Sequence, residues 1–252
     1  NKVFSKLTGK DQFYRKNISS VFPEITQDKL PEENKAEISE VSIHFGEKIY
    51  RVSMQRVSLG EVISNSELFD ENQQNVNLIA VYLYDETQLK ESIQQIEDNK
   101  LVVALAYLDN YEEALESVED VRRSLLTALI DRKITKYFSN FDGLVKKLEK
   151  DKYFLIMRQS SLKAMQEQRF HILDEVKTVN IGNEMAVTLS IGIGLNASTY
   201  IQNYEYSRIA IEMALGRGGD QVVIKNGDNI TYFGGKAQQV EKTTRVKARV
   251  KA

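Results

Sequence analysis

Val187-Thr188-Leu189-Ser190-Ile191-Gly192-Ile193-Gly194 lies inside the apolar run Ala186–Leu195, and that run predicts a strand. Upstream, Tyr153–Met157 predicts a second strand, and Ser161–Val176 between them predicts a helix. Downstream, Tyr204–Leu215 predicts a helix. Val222–Lys225 and Ile230–Phe233 predict a strand pair around the Asn226-Gly227 turn. Further back, Leu101–Leu108 is a continuous apolar strand. Glu112–Ile130 carries Ala114, Leu115, Val118, Val121, Leu125, Leu126 and Leu129, which form a wide apolar helix face. Phe138–Lys147, with Gly143, reads as irregular.

Residues 1–84 follow a different pattern. Asp11–Ile25 reads as short helix broken by Pro23, with Phe13, Ile18, Val21 and Phe22 as its apolar set. Val41, Ile43 and Phe45 alternate with Ser42 and His44, the period of a half-buried strand. Ile49–Leu59 and Val76–Tyr84 predict two more, separated by the polar stretch Ser64–Gln74. Three antiparallel strands with helices on one side make a small α+β domain. Asp85–Asn99 then switches to helical spacing at Leu89, Ile93 and Ile96, with Asp85 or Thr87 as its cap. An apolar stripe this narrow on a linker helix predicts packing against a second copy of the chain.

Composition removes several classes. There is no cysteine, so disulfides, thiolate nucleophiles and Cys-ligated metals are excluded. His44 and His171 are the only histidines, too few for a three-histidine site. The net charge of -2 gives no overall basic field for nucleic acid. No apolar run reaches the roughly 20 residues of a membrane helix.

Four stretches resemble the GGDEF superfamily of nucleotidyl cyclases. Ala106-Tyr107-Leu108-Asp109-Asn110-Tyr111 is similar to its first strand motif, and Tyr153-Phe154-Leu155-Ile156-Met157 to the strand after its signature glycines. Val187–Gly194 closely matches its later Ser-Ile-Gly-Ile strand, and Ala214–Val222 (A-L-G-R-G-G-D-Q-V) sits at its later helix end. That last stretch, with F-H-I-L-D-E-V-K and the tail R-V-K-A-R-V-K-A, resembles the GdpP/YybT-type cyclic di-AMP phosphodiesterases. The resemblance implies an α+β chain: a PAS-like antiparallel sheet domain (1–84), a linker helix (85–99), a degenerate GGDEF domain (100–236) and a basic linker (237–252). The GGDEF part would be a palm-like, ferredoxin-related α/β sandwich. It further implies membrane helices upstream, and downstream a DHH/DHHA1 hydrolase using Mn²⁺.

A cyclase site needs carboxylates to hold metal against triphosphate, and glycines so that nucleotide can approach the backbone. Laid on this chain, the pattern puts the two glycines at Lys150 and Asp151 and the acidic pair at Lys152 and Tyr153. The first strand aspartate falls on Tyr107, leaving Asp109 alone of the acidic set. The inhibitory Arg-x-x-Asp is also absent from F-D-G-L-V-K-K-L. Cyclic di-GMP synthesis is therefore not expected, and no residue is assigned a catalytic or metal-binding role. The resemblance does imply weak ATP turnover, for which Asp109, Lys150, Lys152, Arg217 and Asp220 are the nucleotide-binding candidates. Two readings stand side by side: these residues meet a nucleotide, or Asp109-Asn110 caps a helix, the lysines form a solvated turn, Gly216 caps the end of a helix and Gly218-Gly219 is a plain turn into the next strand.

The resemblance also implies heme as the ligand of residues 1–84. His44, the one histidine there, falls with Glu40 and Ser42 opposite the apolar Val41, Ile43 and Phe45, which points it outward. His171 has no second ligand near it in sequence. The expected protein is then a homodimeric regulatory region at the cytoplasmic face of the membrane. It would pass ligand state to a phosphodiesterase acting on cyclic di-AMP, with weak ATPase activity as the alternative.

Overall fold

The computed structural model describes residues 17–32, 38–57, 78–116 and 118–234. The chain divides into two compact units between Gln95 and Ile96. Among the described residues no helix is long and apolar enough to cross a membrane.

In the first unit, β1 (Ser39–Phe45), β2 (Lys48–Val57) and β3 (Leu78–Asp85) form an antiparallel sheet in the order β1-β2-β3. Strand alternation buries Ile43 from β1 and Tyr50, Val52 and Met54 from β2. Phe22 and Ile25 complete this core from the preceding turns, and the Phe22 and Phe45 rings meet edge to face at 5.5 Å. Where a helix was expected over Asp11–Ile25, the described part is a 3₁₀ turn at Ile18–Ser20, capped by the Asn17 side chain. Residues 11–16 lie outside the described residues, as do the expected strand ends at 58–59 and 76–77.

Helix α1 (Thr87–Asn99) is capped by Asp85, the first of the two expected caps, and not by Thr87. The Asp85 carboxylate accepts the Thr87 N–H at 3.1 Å and the Thr87 hydroxyl at 2.7 Å. The same hydroxyl oxygen accepts the Ile49 N–H at 3.0 Å, which ties the helix start to β2. Leu89, Ile93 and Ile96 are 55, 47 and 64% exposed, so the narrow stripe is uncovered.

The second unit holds a six-stranded sheet in the order β5-β6-β4-β7-β8-β9. Its strands are β4 (Leu101–Leu108), β5 (Leu144–Lys147), β6 (Lys152–Arg158), β7 (Leu189–Leu195), β8 (Gln221–Asn226) and β9 (Asn229–Gly234). Only β7 and β8 pair in parallel, and the other neighbours are antiparallel. Helices α2 (Tyr111–Glu116), α3 (Asp120–Asn140), α4 (Gln159–Glu167) and α5 (Ile172–Lys177) add residues to the main core. Helix α6 (Tyr200–Gly216) packs against β7 and β8 and builds a smaller core with Ala210, Ala214, Val223 and Ile230. Strand β4 is covered on both faces, which explains its unbroken apolar run.

Gly192 and Gly194 set the spacing between β7 and α6. A Cβ on Gly192 would stand 2.2 Å from the Ile211 nitrogen, and one on Gly194 would stand 2.0 Å from the Asn203 oxygen. The glycines in the opening stretch therefore let a helix lie with its backbone against the strand.

Four local expectations are corrected. The helix expected over Glu112–Ile130 breaks after Glu116, and its second half continues to Asn140. The Arg123 guanidinium stabilises the break by donating to the carbonyls of Leu115 and Val118, each at 3.0 Å. Phe138–Lys147 is ordered: Asp142 takes a left-handed φ of 56° after the helix, and the next residues form edge strand β5. The helix expected over Ser161–Val176 divides because Arg169 and Phe170 are left-handed. That turn sends Phe170 into the core, 5.1 Å from the Phe233 ring. The left-handed residue closing α6 is Gly218, with φ 98°, and not Gly216.

Candidate functional site

Strand register gathers the candidate residues at one end of the second unit's sheet. Tyr107 lies opposite Lys152, Leu108 opposite Leu189, and Ile191 beside Val222. The C-terminal end of β4 thus meets the N-terminal ends of β6, β7 and β8.

Asp109 follows β4 directly. Its Oδ2 accepts the Thr188 hydroxyl and the Asp220 backbone N–H, both at 2.9 Å. Its own N–H donates to the Thr188 carbonyl at 3.1 Å. Asn110 bridges to the same segment, accepting the Thr188 N–H and donating to the Ala186 carbonyl. These side chains reach across to the approach of β7, where a cap on the following helix was one of the two sequence readings. The carboxylate also packs on Gly219, whose φ is +73°: a Cβ there would lie 2.6 Å from Oδ2.

Gly218, Gly219 and Asp220 are three successive left-handed residues. Asp220 makes an ion pair with Lys177 at 2.7 Å, and Asp174 approaches the same ammonium at 3.3 Å. Burial is the largest single influence on Lys177 and lowers its pKa, but the Asp220 and Asp174 carboxylates together outweigh it and raise the value. The Oδ1 atoms of Asp109 and Asp220 are both buried without a hydrogen-bond partner among the described residues. Arg217 sits in the same turn, with its guanidinium over the Tyr232 ring at 4.4 Å and its Nε donating to Gln221 at 3.3 Å.

The turn between β5 and β6 holds the other two candidates. The Leu148 and Glu149 N–H groups close it onto the Lys152 carbonyl. Neither Lys150 nor Asp151 adopts a left-handed φ, so this turn forms without glycine geometry. Lys152 bonds Glu149 at 2.7 Å and lies 5.6 Å from the Tyr107 ring centroid. Those contacts raise the Lys152 pKa, with the Glu149 hydrogen bond leading. Lys150 is exposed and makes no ion pair among the described residues. Asp109 and Asp220 are thus in contact, while Arg217 and Lys152 already have partners of their own.

Sequence reading missed the neighbour of this turn. The Tyr153 ring points into the core and its hydroxyl bonds the Asp131 carboxylate. Lys147 donates to both Asp131 oxygens at 2.8 Å. Burial first, and then Asp131, push the Tyr153 hydroxyl well above its ordinary range. The available signal was Asp131 standing between Ile130 and Ile134 on an apolar helix face. Among the described residues no three His, Cys, Asp or Glu side chains gather into a metal-holding group. His171 instead contacts Glu175 at 3.0 Å.

Heme does not fit the described residues of the first unit. Phe22, Ile25, Ile43, Tyr50, Val52 and Met54 pack against one another there. His44 is exposed and alternates with the inward Ile43, so it offers no axial ligand to that core.

Residues 106–232 match the family described as cyclic-di-AMP phosphodiesterase GdpP-like, GGDEF domain. With the strand order above, this defines a GGDEF-type α/β domain. The match spans just over half of the sequence, and the chain belongs to that GdpP-like family. The cyclic-di-AMP phosphodiesterase PdeA of Listeria monocytogenes is 36% identical over 68% of this chain and 26% of its own length. GdpP of Geobacillus thermodenitrificans is 33% identical over the same shares. The chain therefore spans about a quarter of the length of the curated relatives it matches. The solved active GGEEF domain of a Vibrio cholerae diguanylate cyclase aligns at a TM-score of 0.45 and 11% identity. That alignment covers 55% of this chain and 89% of that one.

Proposed function

We propose that this chain is a regulatory region of a cyclic di-AMP phosphodiesterase, without a phosphodiesterase site of its own. The observation that carries the reading is the state of the cyclase-like end of the sheet. Its one retained motif carboxylate, Asp109, is engaged by Thr188 and Asp220. The position of a signature acid is taken by the inward-facing Tyr153. A two-metal site needs several free carboxylates, and this arrangement offers no such set. In this reading the first unit is a PAS-like sensor, and the Leu89, Ile93 and Ile96 stripe joins two chains at the cytoplasmic face of the membrane. Ligand state at the sensor then biases the hydrolase, which requires the ligand to bind the two states differently.

A second reading, weak ATP hydrolysis at the same end of the sheet, draws on the unpartnered Oδ1 atoms of Asp109 and Asp220. Exposed Lys150 would supply a phosphate contact. The test is to incubate the purified chain with Mg²⁺ or Mn²⁺ and cyclic di-AMP, ATP or GTP, then separate the products. Survival of all three nucleotides agrees with a regulatory role. ATP loss that Asp109→Asn abolishes supports the second reading. Cleavage of cyclic di-AMP by this chain overturns the first.

A further inference from the structure

A groove of about 820 Å³ lies along α3, lined from its other side by α5 and residues 178–180. It shares no lining residue with the cyclase-like end of the sheet. Arg132, Lys133 and Lys136 face it from α3, spaced so that they share one side of the helix. None of the three has an ion-pair partner among the described residues. The neighbouring acids are occupied, Asp131 by Lys147 and Tyr153, and Glu175 by His171. Three like charges on one helix face repel one another, and nothing described here neutralises them.

The wall between these cations is aromatic. The Tyr137 ring meets His171 at 4.9 Å and Phe141 at 5.2 Å, and all three line the groove. Tyr137 is only 3% exposed, and its hydroxyl is buried with no hydrogen-bond partner among the described residues. A buried hydroxyl left unsatisfied is uncommon in a settled interior.

We propose that this groove is a binding site for a phosphate ester carrying a planar ring, the chemistry of a nucleotide. The phosphates lie among Arg132, Lys133 and Lys136, whose donors and charge suit a polyanion. The ring lies against His171 and Phe141, and a polar ring atom satisfies the Tyr137 hydroxyl. The volume falls within the ordinary range of small-molecule sites, roughly 300–1,000 Å³.

The test uses the whole chain and three probes: ATP, tripolyphosphate and adenosine. Calorimetric titration should give ATP binding that weakens at least about tenfold in Lys133→Gln/Lys136→Gln. Lys146→Gln, an exposed lysine outside the groove, should bind as the wild type does. Both variants should melt as the wild type does, since all three lysines sit at the surface. Tripolyphosphate should bind at least about tenfold more weakly than ATP, because it lacks the ring. Amide shifts on adding ATP should centre on 132–141 and 171–180. Equal ATP affinity in the double variant overturns the site. Shifts confined to 107–110 and 148–152 overturn it too, and assign ATP to the cyclase-like end instead. Tripolyphosphate binding as tightly as ATP, or adenosine alone binding as tightly, overturns the two-part recognition.

Discussion

The Asp109 carboxylate accepts the backbone N–H of Asp220 at 2.9 Å, joining the end of β4 to a glycine turn 111 residues away. The contact satisfies a left-handed backbone amide and fixes the entry to β8. Asp109→Ala would leave that N–H without its acceptor and the Thr188 hydroxyl with only a 3.5 Å contact to Asn110, at a cost of about 1–3 kcal/mol. Denaturant unfolding should show this loss, and Asp109→Asn, which keeps a carbonyl acceptor, should lose less. An unchanged midpoint for the alanine variant would mean water replaces the carboxylate freely.

Gly192→Ala should be more damaging. The new methyl would stand 2.2 Å from the Ile211 nitrogen and 2.5 Å from the Ser207 oxygen. Both are main-chain atoms of α6, so relief requires moving the helix, where overpacking ordinarily costs about 1–3 kcal/mol and here should reach the top of that range or beyond. A melting temperature within error of the wild type would refute this account of the strand.

These two sites differ in how far the sequence revealed them. The run around Gly192 and Gly194 is legible because strand and helix are neighbours in the chain, so apolar pattern and small residues appear together. The Asp109 contact is not legible, because no local pattern couples residues 109 and 220. The helix breaks at Val118 and Phe170 escaped for a related reason. Helical spacing continues through both, and the burial of Val118 and Phe170 overrides it. No sequence motif marks Arg132, Lys133 and Lys136, because the groove they line is closed by α5 and residues 178–180, some forty residues on.

The α1 stripe predicts self-association. Leu89, Ile93 and Ile96 lie on one helix face with no cover among the described residues. Leu89→Glu/Ile93→Glu should weaken a dimer by at least about tenfold, read by light scattering across a dilution series. A chain that is monomeric at all concentrations would remove the dimer from the proposed function.

In the first unit, Asp85 supplies a pH dependence. Bonds from Lys48 and then from Thr87 hold its carboxyl at about 2. A folded value below the unfolded one, about 3.9, gives stability that is complete above the unfolded value and lost as pH falls through the folded one. The wild type should therefore lose stability between about pH 4 and about pH 2 more steeply than Asp85→Asn. Parallel slopes in urea unfolding across that window would exclude Asp85 as a contributor.

The close seating of α6 on β7 also bears on how the second unit assembles. Strand β7, helix α6 and strand β8 are consecutive, so their mutual contacts close short loops at small entropic cost. Pairing β4 with β7 must instead enclose the whole stretch from α2 to α5. The β7-α6-β8 segment is thus placed to nucleate the sheet, with β4 docking onto a surface already formed. Pulsed hydrogen exchange during refolding should find the amides of 191–195 and 222–226 protected before those of 102–106.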